Sequence, residues 1–286
     1  MSHLTGGIGA VVGRGIVCEA DGLAEWPTPR EEGFLRSLVV IPVFNEVSTV
    51  ERVLRRVRGF AGDVAVIDDA STDGTSEVLS RLSPRLGIRV FVRAQNAGYG
   101  RAMQDAFALG ARCGYDWVIT MDCDEQHEPD WIPRFLCEAR GGQFDVISGS
   151  RYLNVEDAEG SPPEDRRSIN LRITTEINDR LGLSLTDGFC GFKAYRVSAM
   201  QGLELSEDGY AFPMQFWVEA VAAGLRIGEI PVRLIYTSAN RSFGGGLDNP
   251  EVRYGHYRRV LHCALKRRAD RLPEGAVDGL LCSPCS

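Results

Sequence analysis

Two aspartates, Asp122 and Asp124, stand one residue apart directly after the apolar run 117–121. Carboxylates so spaced at a strand end can turn toward one hard cation, Mg2+ or Mn2+, with Gln126 as a further oxygen ligand. Such a cation bridges to a diphosphate and offsets the negative charge that builds as it leaves. A second acidic pair, Asp68-Asp69, opens the stretch Asp-Asp-Ala-Ser-Thr-Asp-Gly-Thr after residues 64–67. A carboxylate there accepts well from a base N–H or a ribose hydroxyl. The stretch Asn96-Ala97-Gly98-Tyr99-Gly100-Arg101 follows a third apolar run, and its glycines can let the backbone approach a phosphate at a helix start. Pro42-Val43-Phe44-Asn45-Glu46 follows the first run. Each cluster alone reads equally as turn or helix-cap chemistry. Four at successive strand ends point to one ligand edge, because an open α/β sheet binds ligands beyond the carboxyl ends of its strands.

The elements that position these residues follow from periodicity. Apolar runs at 38–41, 64–67, 88–92, 117–121 and 144–148 read as buried strands. Helical patterns lie between them. The first has Val50, Val53, Leu54 and Val57 on one face, with Ser48 and Glu51 as its capping box. This alternation predicts an α/β fold, an open and mostly parallel sheet with helices on both faces. The second half reads as helices near 167–182, 213–223 and 251–268, with strands near 189–195 and 226–232. Residues 1–33 show no sustained period and read as a mobile or loosely packed extension. Residues 34–268 read as one domain divided near 150, and 269–286 as a tail.

Composition narrows the class. The 286 residues are 44 % hydrophobic and 25 % charged, which excludes disordered, collagen-like and coiled-coil chains. The net charge of −7 argues against nucleic acid as a partner. No apolar run approaches the length of a membrane span. Eight scattered cysteines include one C-x-x-C, Cys282 and Cys285, and read as reduced thiols of a cytoplasmic protein. Met103 breaks any G-x-G-x-x-G after Gly98 and Gly100, against a dinucleotide oxidoreductase.

Taken in order, Ile41 to Glu46, Ile67 to Thr75, Asn96 to Gly100 and Met121 to Asp124 resemble the family 2 glycosyltransferases. Asp124 to Pro129, Ser148 to Tyr152, Asp187 to Tyr195 and Ile227 to Val232 are similar to the dolichyl-phosphate mannosyltransferase and polyprenyl-phosphate glycosyltransferase branch. The resemblance runs from about residue 38 to 245. It implies a GT-A nucleotide-binding fold, with residues 34–150 as the nucleotide-sugar half and 151–268 as the acceptor half. It implies that Pro42, Phe44, Glu46, Asp69, Asn96 and Gly98 hold the nucleotide. Asp122 would lie by the ribose and diphosphate, with the metal on Asp122, Asp124 and Gln126. The implied donor is a nucleoside-diphosphate sugar and the implied acceptor a polyprenyl phosphate, whose oxygen is already anionic. Arg151, Arg167, Arg241 and Gln215 match the acceptor regions. The reaction is expected to be metal-dependent and inverting.

Three departures bear on the acceptor. Pro213 and Gln215 stand where many relatives have Gln-x-Glu; the segment 241–246 lacks the relatives' lysine; and no transmembrane pair follows. A hydroxyl acceptor is the alternative, with Asp187 as the base that deprotonates it; a non-catalytic nucleotide-sugar binder is a third. If the acceptor is a lipid, peripheral contact with the cytoplasmic membrane face is expected, through the interleaved basic and apolar residues 256–268.

Overall fold

The run Leu38-Val39-Val40-Ile41 is buried end to end because its strand is covered on both faces. The computed structural model describes residues 8–12, 15–16, 35–154, 159–236 and 245–280. In chain order these form β1 (Ile8–Val12), β2 (Gly15–Ile16), β3 (Ser37–Val43), α1 (Val50–Val57), β4 (Asp63–Asp68), α2 (Thr75–Leu86), β5 (Arg89–Val92), α3 (Tyr99–Arg112), β6 (Trp117–Thr120), α4 (Ile132–Gly141), β7 (Val146–Ser150), α5 (Glu164–Leu181), β8 (Lys193–Arg196), α6 (Val197–Met200), α7 (Phe212–Ala222), β9 (Ile227–Pro231) and α8 (Pro250–Arg267).

One sheet has the order β2-β1-β5-β4-β3-β6-β8-β7-β9. Pairing is parallel except where β2 meets β1 and where β8 inserts antiparallel between β6 and β7. Val39, Ile41, Val64 and Val66 face α1 and α2, while Leu38, Val40, Ala65 and Ile67 face α3. A further cluster joins Ile169, Ile173 and Ile177 of α5 to Trp217 of α7 and Leu261 of α8. The α/β, mostly parallel reading holds, and the architecture is of the GT-A type.

The antiparallel insertion matters most for the site. Lys193 at the start of β8 pairs with Thr120 of β6 on one side and Ser148 of β7 on the other. The loop before β8 is thereby delivered to the same edge as Asp122 and Arg151.

Four local expectations differ from the structure. Within residues 1–33, β1 lies parallel to β5 and extends the sheet, with β2 antiparallel on its other side. The capping box at Ser48 and Glu51 does not form: Thr49 is the N-cap, and Glu51 pairs with Arg55 one turn on. The tail is packed through residue 280, since Ala276 is buried and its carbonyl accepts from Arg180 Nη1 at 2.9 Å. Cys282 and Cys285 lie outside the described residues. Finally, α8 turns Tyr257, Leu261, Ala264 and Leu265 into the core, while Arg258 and Arg268 pair with Glu176 and Glu219. Its apolar face therefore packs on α5 and α7. No helix among the described residues is long and apolar enough to cross one.

Candidate active site

The strand ends do converge. Beyond β3, β4 and β6 lies a cleft of about 630 Å³ that crosses to β7 and α5. Its walls include Pro42, Phe44, Glu46, Asp69, Asn96, Gly98, Asp122, Asp124, Gln126 and Arg151. Among the described residues three non-glycines hold positive φ, and all three sit in these strand-end turns: Asn45 (57°), Ala70 (61°) and Glu125 (62°). Left-handed backbone at such residues persists only where surroundings enforce it. Asn45 Oδ1 accepts from Thr72 N at 2.8 Å, and Ser71 Oγ accepts from Asn45 N at 2.9 Å, locking two turns together.

Asp68 and Asp69 divide their labour. Asp68 faces inward and accepts from Ser71 N and Ser76 Oγ, closing the turn. Asp69 faces the cleft and accepts from Arg93 Nη1 (2.6 Å), Ala97 N (2.9 Å) and Gly98 N (2.8 Å). Arg93 is buried behind it and also pairs with Asp105. The glycines of α3's start also make room for a neighbouring loop. A Cβ on Gly98 would meet Asp208 O at 2.3 Å, and one on Gly100 would meet Glu207 O at 2.2 Å. They admit the 204–209 loop, which Gln215 holds: its Oε1 accepts from Ser206 N and Glu207 N, and its Nε2 donates to Glu204 O. Gln215 is buried and is therefore a loop staple, away from the cleft wall.

Asp122 leaves β6 with a third of its side chain open to the cleft, at 34 %. Gly191 makes room for it, since a Cβ there would lie 2.4 Å from Asp122 Oδ2. His127 Nδ1 accepts from Asp122 N at 3.2 Å, which fixes the neutral ring as the Nε2–H tautomer. Burial pushes the His127 pKa down to about 4. Burial, then the Asp122 charge, pushes the Asp124 carboxyl up to about 6. Among the described residues no three His, Cys, Asp or Glu side chains form a metal cage. Two cleft-facing carboxylates with a nearby amide still fit Mg2+ or Mn2+, which keep open positions for phosphate oxygens and water.

Beyond β7, Arg151 is aimed by Asp187. Its Nε and Nη2 donate to Asp187 Oδ2 (2.6 Å) and Oδ1 (2.9 Å). Asn170 Nδ2, Arg151 N and Phe189 N also donate to that carboxylate, at 2.9, 3.3 and 3.1 Å. Burial alone would raise the Asp187 pKa; Arg151, Asn170 and Lys193 outweigh it and hold it at about 2. Asp187 is fully buried and does not line the cleft. A carboxylate with five donors and so low a pKa is a poor base for a hydroxyl. Lys193 lies beneath, donating to Cys190 O, with its ammonium 5.3 Å from the Trp217 ring centroid. Trp217 is core; Tyr210 reaches the cleft and stacks on Tyr99 at 6.2 Å.

Arg167 is exposed on α5 and absent from the cleft wall; Arg166 lines it instead, 5.8 Å from the Tyr236 ring centroid. Helical phase carries that signal: Arg166 lies three residues before Ile169, whose buried stripe continues through Ile173 and Ile177. Arg253, buried and paired with Asp165, closes the far end. Arg241 lies outside the described residues.

Residues 38–203 match glycosyl transferase family 2. The chain is 31 % identical over 220 residues to the undecaprenyl-phosphate mannosyltransferase of Micrococcus luteus, covering 74 % of this chain and 89 % of that protein. It is 30 % identical over 246 residues to the polyprenol monophosphomannose synthase of Mycolicibacterium smegmatis, covering 82 % and 89 %. Its fold is similar to that of glucosyl-3-phosphoglycerate synthase from Mycobacterium tuberculosis, a structure holding Mn2+, uridine diphosphate and glucosyl-3-phosphoglycerate. The TM-score is 0.59 at 19 % identity, over 84 % of this chain and 82 % of that one. The chain belongs to glycosyl transferase family 2 and is a glycosyltransferase.

Proposed function

We propose that the protein transfers a sugar from a nucleoside-diphosphate sugar to a polyprenyl phosphate, with inversion and with a divalent metal. The observation that carries this reading is Arg151, held by Asp187 at the cleft wall beyond Asp122. Two of its five N–H groups serve Asp187, which leaves three for an anionic ligand. Both curated relatives have prenyl-type phosphate acceptors and mannosyl transfer in their names. Mannose is therefore the first sugar to test.

In this reading Phe44, 43 % exposed at the cleft, covers a face of the base, and Asp69 accepts from base or ribose. Asp122, Asp124 and Gln126 would hold the metal, which supplies charge for the departing diphosphate. Arg151 and Arg166 orient the acceptor phosphate. One phosphate oxygen bonds to the anomeric carbon as the bond from that carbon to the donor diphosphate breaks. A single displacement inverts the centre, and an oxygen already ionised needs no base. Positioning and charge then supply the rate.

The test supplies GDP-mannose, UDP-glucose and UDP-N-acetylglucosamine in turn, with Mn2+, to undecaprenyl phosphate and to undecaprenol. An acid-labile glycosyl phosphate, formed only with the phosphate lipid and lost with EDTA, is expected. Transfer to the alcohol alone overturns the acceptor. Asp124→Asn should lose metal-dependent nucleotide binding, read by calorimetry with and without Mn2+, at an unchanged far-UV spectrum.

A further inference from the structure

The cation at the acceptor wall has a second support, on the strand farthest along the sheet. Glu229 lies on β9, half-buried, and aims its carboxylate at the loop before β8. Its Oε2 accepts from Thr186 N and from Thr186 Oγ1, both at 2.8 Å. Its Oε1 accepts from Asp187 N at 3.2 Å. Thr186 Oγ1 also lies 2.5 Å from Ser150 Oγ. Since the Thr186 hydroxyl proton is given to Glu229, Ser150 must donate to Thr186. Ser150 Oγ in turn accepts from Tyr152 N at 3.2 Å. Hydrogen bonds therefore run one way: Tyr152 N–H to Ser150, Ser150 O–H to Thr186, Thr186 O–H to Glu229.

The chain grips both ends of the Arg151–Asp187 pair. The backbone on either side of Arg151 is held through Ser150 and Tyr152. The backbone of Asp187 is held at its own N–H. We infer that Glu229 is a positioning residue for acceptor capture, fixing the Arg151 guanidinium through Thr186 and Asp187 without itself reaching the cleft. Glu229 does not line the cleft, so any effect it has must pass through its partners.

An ionised carboxylate suits this place because all three groups facing it are donors. A glutamine keeps one oxygen and turns an N–H2 toward donors, so one end of the arrangement must let go. Displacement of a charge-bearing group by a fraction of an ångström is enough to reduce its hold on a tetrahedral anion, because charge-assisted contacts depend on alignment.

This inference rests on the polyprenyl-phosphate reading, and the experiment separates the two. Steady-state transfer to undecaprenyl phosphate is measured for wild type, Glu229→Gln, Thr186→Val, Arg151→Gln and the Glu229→Gln/Arg151→Gln double variant. Nucleotide affinity is measured by calorimetry with Mn2+, and folding by thermal melts. Glu229→Gln should raise the acceptor KM about 5- to 20-fold, the size of one displaced charge-assisted contact, with nucleotide affinity unchanged. Thr186→Val should move the same parameter in the same direction by less. The double variant should match Arg151→Gln alone, because a residue acting through Arg151 has nothing left to position. If Glu229→Gln only lowers the melting temperature, or if its effect adds in full to that of Arg151→Gln, the positioning role is wrong. If Arg151→Gln itself leaves acceptor KM untouched, it is the acceptor reading that fails.

Discussion

Two buried Arg–Asp clusters flank the cleft, and they are built back to front. Beyond β4 the carboxylate of Asp69 faces the cleft and Arg93 stands behind it, 3 % exposed. Beyond β7 the guanidinium of Arg151 faces the cleft, 18 % exposed, and Asp187 stands behind it at 0 %. The same ion pair is thus turned to show opposite signs. A carboxylate neutralised from behind can accept from N–H and O–H groups without repelling a nearby phosphate strongly. A guanidinium oriented from behind presents its remaining N–H groups to an anion. The side that faces the ligand is what differs, and neither burial nor pairing alone reveals it.

Removing the rear member should be the harshest break. Arg93 serves both Asp69 and Asp105, so Arg93→Met leaves one carboxylate with backbone N–H groups only and the other with Arg101. A loss of about 3–5 kcal/mol of stability is expected, read by urea unfolding, with weakened nucleotide binding in whatever folds. A loss below about 1 kcal/mol would mean the cluster does not carry the charge balance assigned to it.

The front member of the second cluster should cost less. Arg151→Met strands Asp187 with the Asn170 amide and the backbone N–H groups of residues 151 and 189 as its remaining partners, a loss of about 3 kcal/mol. Adding Asp187→Asn should restore most of it, because an amide needs no counter-charge and still accepts from Asn170. Transfer to the prenyl phosphate should stay down by about 10- to 150-fold in both variants. Asp187→Asn alone disturbs Arg151 whichever acceptor is used, so that single variant does not tell a phosphate acceptor from a hydroxyl. Recovery of both stability and transfer in the double variant would show that Arg151 does not meet the acceptor.

These two clusters also mark what was legible in the sequence. The strand-end residues were readable because five alternating elements force their ends onto one edge, and Asp122 and Asp124 follow from that alone. The permissiveness of Gly98 and Gly100 is legible in the sequence, but the loop they admit is not, since it comes from about a hundred residues away. Asp187 could be assigned a neighbourhood but no orientation. Its place depends on β8 entering antiparallel between β6 and β7, a crossing that no local pattern encodes. Gln215 reads as an acceptor residue by motif position, yet its four side-chain hydrogen bonds all go to residues 204–207.

Acid should separate the clusters more gently. The Asp187 pKa stands at about 2, held there by Arg151 and Asn170 against burial. An unfolded aspartate titrates near 3.9, so the pair's contribution is complete above about pH 4 and fades as pH falls toward 2. The expected loss across that window is about 2 kcal/mol. Unfolding free energies of wild type and Asp187→Asn, compared at pH 5 and pH 3, should converge as pH falls. A constant difference would mean that the carboxylate is not held ionised.

The smallest expected effect belongs to two adjacent arginines. Arg166 and Arg167 are one residue apart on α5, so their side chains diverge by about 100° around the helix axis. Arg166 falls toward the buried stripe of Ile169, Ile173 and Ile177 and enters the cleft wall beside Tyr236. Arg167 falls to the exposed side. Arg167→Ala should change stability by less than about 0.5 kcal/mol and acceptor KM by less than about 2-fold. Arg166→Ala should raise acceptor KM by several-fold more, and the rise should shrink in high salt, because part of its hold on phosphate is long-range attraction. Nucleotide affinity should stay level in both. If the exposed arginine proves the more damaging loss, the acceptor phosphate does not enter along the cleft as drawn, and the guanidinium of Arg151 faces some other anion.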